Sequence, residues 1–193
     1  MVAERADAAR NRRRVLAAAA ALFAEHGAAN VSMEQIAAEA GVGKATLYRR
    51  FPDRAAIAVA LLDEHERALQ DELISGAPPL GPGAAPAERL AAFYAAMVDL
   101  LEQHGHLVLG AEVGHRRFDV GAYQFWRTHV LTLLRDAHVE RPEVMVELLL
   151  APVAPEVHRH QREALHHTAE RVKAALAELA HRVLDRPETD KGT

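Results

Sequence analysis

The stretch from Ser32 to Phe51, SMEQIAAEAGVGKATLYRRF, constrains the chain more than any other, because it carries its own helix start, turn and stop signals. Ser32 followed by Gln35 forms a capping box, in which hydroxyl and amide satisfy backbone N–H groups that a first helical turn leaves orphaned. A helix therefore starts near Met33. Ile36, Ala37 and Ala40 recur at helical spacing, and Gly41 follows where a left-handed residue closes the last turn without a Cβ penalty. Val42 is apolar inside the turn and is expected between the helices, Gly43 suits the N-cap of a second helix over Lys44 to Arg50, and Phe51-Pro52 ends it.

The second helix places Leu47 and Phe51 on one apolar face, leaving Lys44, Thr46, Tyr48, Arg49 and Arg50 as hydrogen-bond donors on the rest. Helix-turn-helix proteins set such a helix in the major groove, its N-terminal residues at base edges and flanking cations and hydroxyls on phosphates. A solvated helical hairpin is the plain alternative. The run AAEAGVGKATLYRRFPDR resembles the N-terminal signature of the TetR family of repressors, A-x-x-A-G-V-x-x-x-T-[LI]-Y-x-[HY]-F-x-[DNS]-[KR]. The resemblance is specific over about residues 10 to 65 and only architectural beyond them, and Arg50 stands where the family more often has His or Tyr. It implies an all-α protein with a three-helix DNA-binding domain over residues 1–55 and a helical effector-binding and dimerisation domain over 56–193. Arg13, Ser32, Lys44, Ala45, Thr46, Tyr48, Arg49 and Arg50 are the implied DNA-binding residues, with Thr46 and Tyr48 on phosphates and Lys44 on a phosphate or base edge.

Charge distribution agrees with that division. Residues 1–60 hold nine Lys+Arg against six Asp+Glu, net +3, and the remainder holds 14 against 21, net −7, so a basic head precedes an acidic body. Such a split orients a protein on DNA and keeps its body from the phosphates. Half the residues are hydrophobic, which excludes disorder throughout, and the absence of cysteine removes disulfides and thiolate chemistry. No apolar run reaches the length of a membrane span, and the arginine-rich start leads into no secretory core. A soluble cytoplasmic protein is expected.

Met1 to Ala9 has little pattern and is expected to be loosely ordered. Arg10, Arg12, Arg13 and Arg14 open the first helix, either as a solvated start or as an arm on phosphates or the minor groove. Val15, Leu16, Ala19, Leu22 and Phe23 mark its apolar face, and Gly27 ends it. Asp53 caps a fourth helix, over about 54–75, that connects head and body and could transmit body repacking to the head, as TetR-like switching is thought to work. The segment from Gly76 to Pro86, rich in Pro and Gly, reads as a loop. Pro86 opens a fifth helix ending at His104-Gly105, and a short helix fits between Leu107 and Gly114. Asp119 can cap the next, Pro142 and Pro152 bound another, and Pro155 opens a last long helix to about residue 184.

In the body, Phe93, Met97, Phe125 and Trp126 lie among His104, Glu112, His115 and His129, a mixture that fits either plain core or a small-molecule pocket. The resemblance implies an inducer held in this part of the chain. It also implies a dimer through the last two helices, with Leu148, Leu149, Leu165, Thr168, Val172 and Leu176 as candidate contacts; the same stripe could seal the monomer core. A dimer follows from geometry as well, since one short reading helix makes few base contacts while paired heads about 34–36 Å apart read two successive half-sites.

The twelve histidines raise a metal-enzyme alternative. Glu112/His115, Glu163/His166 and Glu178/His181 each have Glu-x-x-His spacing, which places both side chains on one helical face, as in di-iron bundles. Two of the three fall on one expected helix, where a di-iron site needs separate helices. His158/His160 and His166/His167 point apart on a helix and make poor zinc pairs. No phosphate-cradling, dinucleotide, H-E-x-x-H or G-x-S-x-G motif is present, so no cofactor, metal or catalytic activity is expected.

Overall fold

The computed structural model describes residues 2–110 and 121–185. Among these, helices are the only regular secondary structure: α1 (Val2–His26), α2 (Met33–Ala40), α3 (Lys44–Arg50), α4 (Arg54–Ser75), α5 (Pro86–Gly110), α6 (Gly121–Asp136), α7 (Pro142–Leu150), α8 (Pro155–Arg159) and α9 (Ala169–Leu184). No described helix is long and apolar enough to cross a membrane. The chain divides into two compact units, the first built on Met1–His65 and the second on Glu66–Gly105 and the helices that follow α5.

The first unit closes around α2 and α3. Val15, Leu16, Ala19 and Phe23 of α1 pack with Val31, Met33, Ile36 and Ala40 around α2, with Leu47 and Phe51 around α3, and with Ile57 and Leu61 of α4. Burial of each large apolar side chain contributes about 1.5–3 kcal/mol, so α3, short of a stable length on its own, is held by tertiary packing. Asp53 caps α4 by accepting the Ala56 N–H at 2.8 Å. Arg54 of α4 donates from Nη1 to the carbonyls of Ala28 at 3.0 Å and Val31 at 2.9 Å, fastening the loop that leads into α2.

The second unit has its own core, in which Leu73 meets Leu90, Phe93, Tyr94, Met97 and Val98 of α5, Trp126, Val130, Leu133 and Leu134 of α6, Val146, Leu149 and Leu150 of α7, and Val172, Leu176 and Ala180 of α9. The Tyr94 hydroxyl, buried there, donates to the Leu149 carbonyl at 2.9 Å. The resulting loss of solvent raises the phenol well above its ordinary pKa.

Three boundaries differ from the sequence expectation. α1 begins at Val2 instead of near Arg10, because alanines and charged helix formers run unbroken through that segment with no Gly or Pro to stop them. α5 continues through Gly105 to Gly110 in place of ending there before a separate short helix, since one interior glycine costs only about 1 kcal/mol. The remaining stretch to Gly114 and the Asp119 cap lie outside the described residues.

The expected final helix is broken. A π-helical turn over His160–Ala164 follows α8, His166 takes a left-handed φ of 54°, and Thr168 starts α9 by accepting the Arg171 N–H at 3.2 Å. Glu102 of α5 fixes the break: its carboxylate meets His158 Nε2 at 2.8 Å and accepts from Arg162 Nε at 2.7 Å and Nη2 at 3.1 Å, while Arg162 Nη1 donates to the His167 carbonyl. These bonds, Arg162 first, hold the Glu102 carboxyl below its ordinary pKa.

Candidate nucleic-acid interface

The capping box at the start of α2 is complete: Ser32 Oγ accepts the Gln35 N–H at 3.2 Å and Gln35 Oε1 accepts the Ser32 N–H at 2.8 Å. At the other end Gly41 adopts φ 59°, ψ 40°, and Gly43 is the N-cap of α3. Val42 is half-buried against the same core as Leu47. Two helices are thereby fixed by local signals, and Leu47 and Phe51 orient α3 so that Lys44, Ala45, Tyr48, Arg49 and Arg50 are exposed and Thr46 is half-buried.

This face has an internal acid that the sequence did not single out. Glu34 Oε1 accepts from the Tyr48 hydroxyl at 3.3 Å and lies 3.7 Å from Lys44 Nζ. Partial desolvation, the Glu34 charge and this hydrogen bond raise the Tyr48 pKa. The spacing of residues 34 and 48 gives no pattern in sequence; only the turn geometry brings them together.

The α1 arginines have separate partners. Arg10 pairs with Asp7, Arg12 stacks over the Phe51 ring at 5.8 Å, and Arg14 donates to the Gly41 carbonyl at 3.3 Å. Arg13 is exposed and joins Arg12, Arg50, Ala8, Ala9 and Glu64 around an open cleft of about 430 Å³. A second cleft, of about 370 Å³, runs from Asn11 and Arg12 to Thr46, Arg49 and Arg50. Cationic side chains from α1 and α3 thus share one surface, suited to polyanion phosphates.

Residues 15–61 match the bacterial regulatory proteins of the tetR family. That N-terminal segment belongs to the tetR family. A 50-residue stretch is 50% identical to an HTH-type transcriptional regulator of Staphylococcus aureus, covering 26% of this chain and 27% of that protein, so the chain spans about a quarter of the length of the curated relatives it matches. Over nearly the whole chain the same fold recurs in SmeT in complex with triclosan, with a TM-score of 0.63 and 19% identity, covering 95% of this chain and 98% of that one. SmeT is the repressor of the Stenotrophomonas maltophilia multidrug efflux pump SmeDEF. The transcriptional regulator FadR of Bacillus subtilis, in complex with stearoyl-CoA, gives a TM-score of 0.63 at 16% identity, with coverage of 87% and 96%.

Of the candidate pocket residues in the second unit, Phe93, Met97 and Trp126 are buried together and Phe125 is half-buried, with Phe93–Trp126 centroids 5.9 Å apart and Phe125 edge-on to Trp126 at 5.4 Å. His129 stands 5.5 Å from the Phe93 ring. Its Nε2 is buried without a hydrogen-bond partner, and burial, then the Arg89 charge, lowers its pKa to about 4. Glu112, His115 and the side chain of His104 lie outside the described residues.

The six candidate dimer contacts separate. Leu149 of α7 is buried in the second unit's own core, as are Val172 and Leu176, because the apolar stripe of α9 faces inward. Leu148, Leu165 and Thr168 are exposed, and Val144 joins Leu148 one turn away on α7.

The Glu-x-x-His pairs are rearranged too. Glu163 is in the π-helical turn and His166 follows in left-handed conformation, so they share no helical face; the break also removes Glu163 from the helix that carries Glu178. Glu178 instead pairs with Arg182 and His181 with Asp185. Among the described residues no three His, Asp or Glu side chains are gathered as metal ligands.

Proposed function

We propose that this chain is a ligand-responsive, DNA-binding transcriptional regulator that represses from a palindromic operator as a homodimer and is released by a small-molecule effector. The observation that carries the reading is the anchoring of α3 by Leu47 and Phe51, with Lys44, Ala45, Tyr48, Arg49 and Arg50 left exposed on a surface shared with Arg13. In the groove, Lys44 would meet a phosphate or base edge and Thr46 and Tyr48 would donate to phosphates, while Ser32 sits at the head of α2 where its N-terminus faces the backbone. Residues 1–55 act as the DNA-binding domain and 56–193 as the effector and dimerisation domain, joined in sequence through α4. No catalytic role is assigned, and the working compartment is the cytoplasm.

Dimerisation rests on exposed apolar residues of the second unit, Val144 and Leu148 on α7 and Leu165 after the π-helical turn, which water contacts in the single chain. The effector reading rests on the aromatic group of Phe93, Phe125 and Trp126 beside the unpartnered His129 Nε2, and on ligands held by proteins of the same fold. Release is a population shift: the effector binds the released form more tightly than the DNA-competent one.

The close burial of Phe93, Met97 and Trp126 also favours a second reading, a DNA-binding dimer whose body only dimerises. A thermal-shift screen over small apolar and cationic compounds separates the two: a stabilising compound that weakens DNA binding selects the first. The DNA-binding role is tested by fluorescence anisotropy, where Tyr48→Ala should weaken binding to a selected duplex without lowering the unfolding temperature, and unchanged binding would count against it.

A further inference from the structure

We propose that Glu34 is a specificity-determining residue of the α2–α3 surface, holding Lys44 and Tyr48 in the free protein so that only a duplex with acceptors in register with both displaces it. The inference rests on the DNA-binding reading above and adds a residue to its recognition set. Glu34 has no capping duty, since Ser32 and Gln35 satisfy the first turn of α2 between them. It lies in that first turn, near the positive end of the helix dipole. It crosses to α3, where one oxygen, Oε1, serves both the Tyr48 hydroxyl at 3.3 Å and the Lys44 ammonium at 3.7 Å.

Two consequences follow from charge. The Glu34–Lys44 pair is neutral as a unit, so against an arbitrary phosphate backbone Lys44 contributes little net attraction and Glu34 itself is repelled. A duplex that fits can replace both Glu34 contacts with phosphate or base-edge acceptors; one that does not fit must leave the pair intact or break it without compensation. Specificity obtained by penalising wrong partners is a general use of such a charge. Because the cluster is solvent-exposed, the effect is of the order of a surface ion pair and is screened by salt.

The test uses the full-length protein, with Glu34→Gln and Glu34→Asp, titrated on a duplex selected from a random pool and on an unselected duplex of the same length. Glu34→Gln should bind the unselected duplex about three- to ten-fold tighter at low salt, corresponding to a surface charge interaction, while affinity for the selected duplex changes less, so the ratio falls. Its binding should also depend more steeply on salt, by roughly one phosphate contact per protomer. Glu34→Asp, which keeps the charge, should stay nearer to wild type on the unselected duplex. Equal tightening on both duplexes, or none on the unselected one, overturns the proposal while leaving DNA binding in place. If neither wild type nor Glu34→Gln binds any duplex, the DNA-binding reading itself fails and this inference with it.

Discussion

Arg14 donates through Nη2 to the carbonyl of Gly41 at 3.3 Å, joining α1 to the turn that sets the angle between α2 and α3. Gly41 has a left-handed φ of 59°, and a Cβ placed there would lie 2.5 Å from Arg14 Nη2. The guanidinium is the far end of a flexible chain and can move; the backbone conformation cannot be relieved so easily. Gly41→Ala is therefore expected to cost about 1–2 kcal/mol, mainly from a Cβ in left-handed backbone, together with the Arg14 bond. Urea unfolding measures the loss, and an unchanged midpoint would contradict the role given to this turn.

Ser32→Ala removes the hydroxyl that accepts the Gln35 N–H and should destabilise the protein by about 1 kcal/mol. Thermal unfolding provides the measurement. Ser32→Asp keeps an acceptor at the cap and should recover the stability, while adding a negative charge that weakens DNA binding. Recovery of one without loss of the other would argue that residue 32 stands away from the phosphates.

In the second unit, Tyr94→Phe leaves the Leu149 carbonyl buried without its donor, at a cost of about 1–3 kcal/mol. The ring itself stays in place among Phe93 and the α7 leucines. A stability loss accompanied by an unchanged helical circular-dichroism spectrum is the expected outcome.

His129 should make stability acid-sensitive. Burial and then the Arg89 charge lower its pKa from 6.5 to about 4, so between those values the unfolded chain binds the proton that the folded chain excludes. Stability from this group is therefore complete above pH 6.5 and falls as pH drops toward 4, by about 3 kcal/mol at about 1.4 kcal/mol per pKa unit. His129→Phe should flatten the stability profile between pH 6.5 and 4 relative to wild type. An identical profile in the variant would show that His129 titrates normally.

Signals that act over a few residues are legible in the amino-acid sequence alone. Ser32 with Gln35, Gly41, Gly43 and Asp53 each fix a helix end through a bond or a backbone angle within one turn, and α2, α3 and the start of α4 fall where these residues place them. The final segment is not legible in this way, because Thr168 has the chemistry of both an N-cap and an ordinary helix residue. Its choice depends on Glu102, which holds Arg162 and His158 from sixty and fifty-six residues away. The same holds at the candidate interface: Lys44, Tyr48 and the arginines can be recognised by type, but Glu34 acquires its meaning only across the turn. Leu149, Val172 and Leu176 are ambiguous in sequence for a related reason, since a narrow apolar stripe does not say whether it faces its own chain or another.

Selection of bound duplexes by the whole chain from a random pool, followed by anisotropy titration of the enriched sequence, tests whether α3 reads DNA. The expected product is a palindrome whose half-site centres lie about one helical turn of DNA or a multiple of it apart, bound by two protomers with an affinity that falls steeply with salt and is lost in a Lys44→Ala, Tyr48→Ala double variant that remains folded. Absence of any enriched sequence, or enrichment unaffected by that double variant, would contradict it.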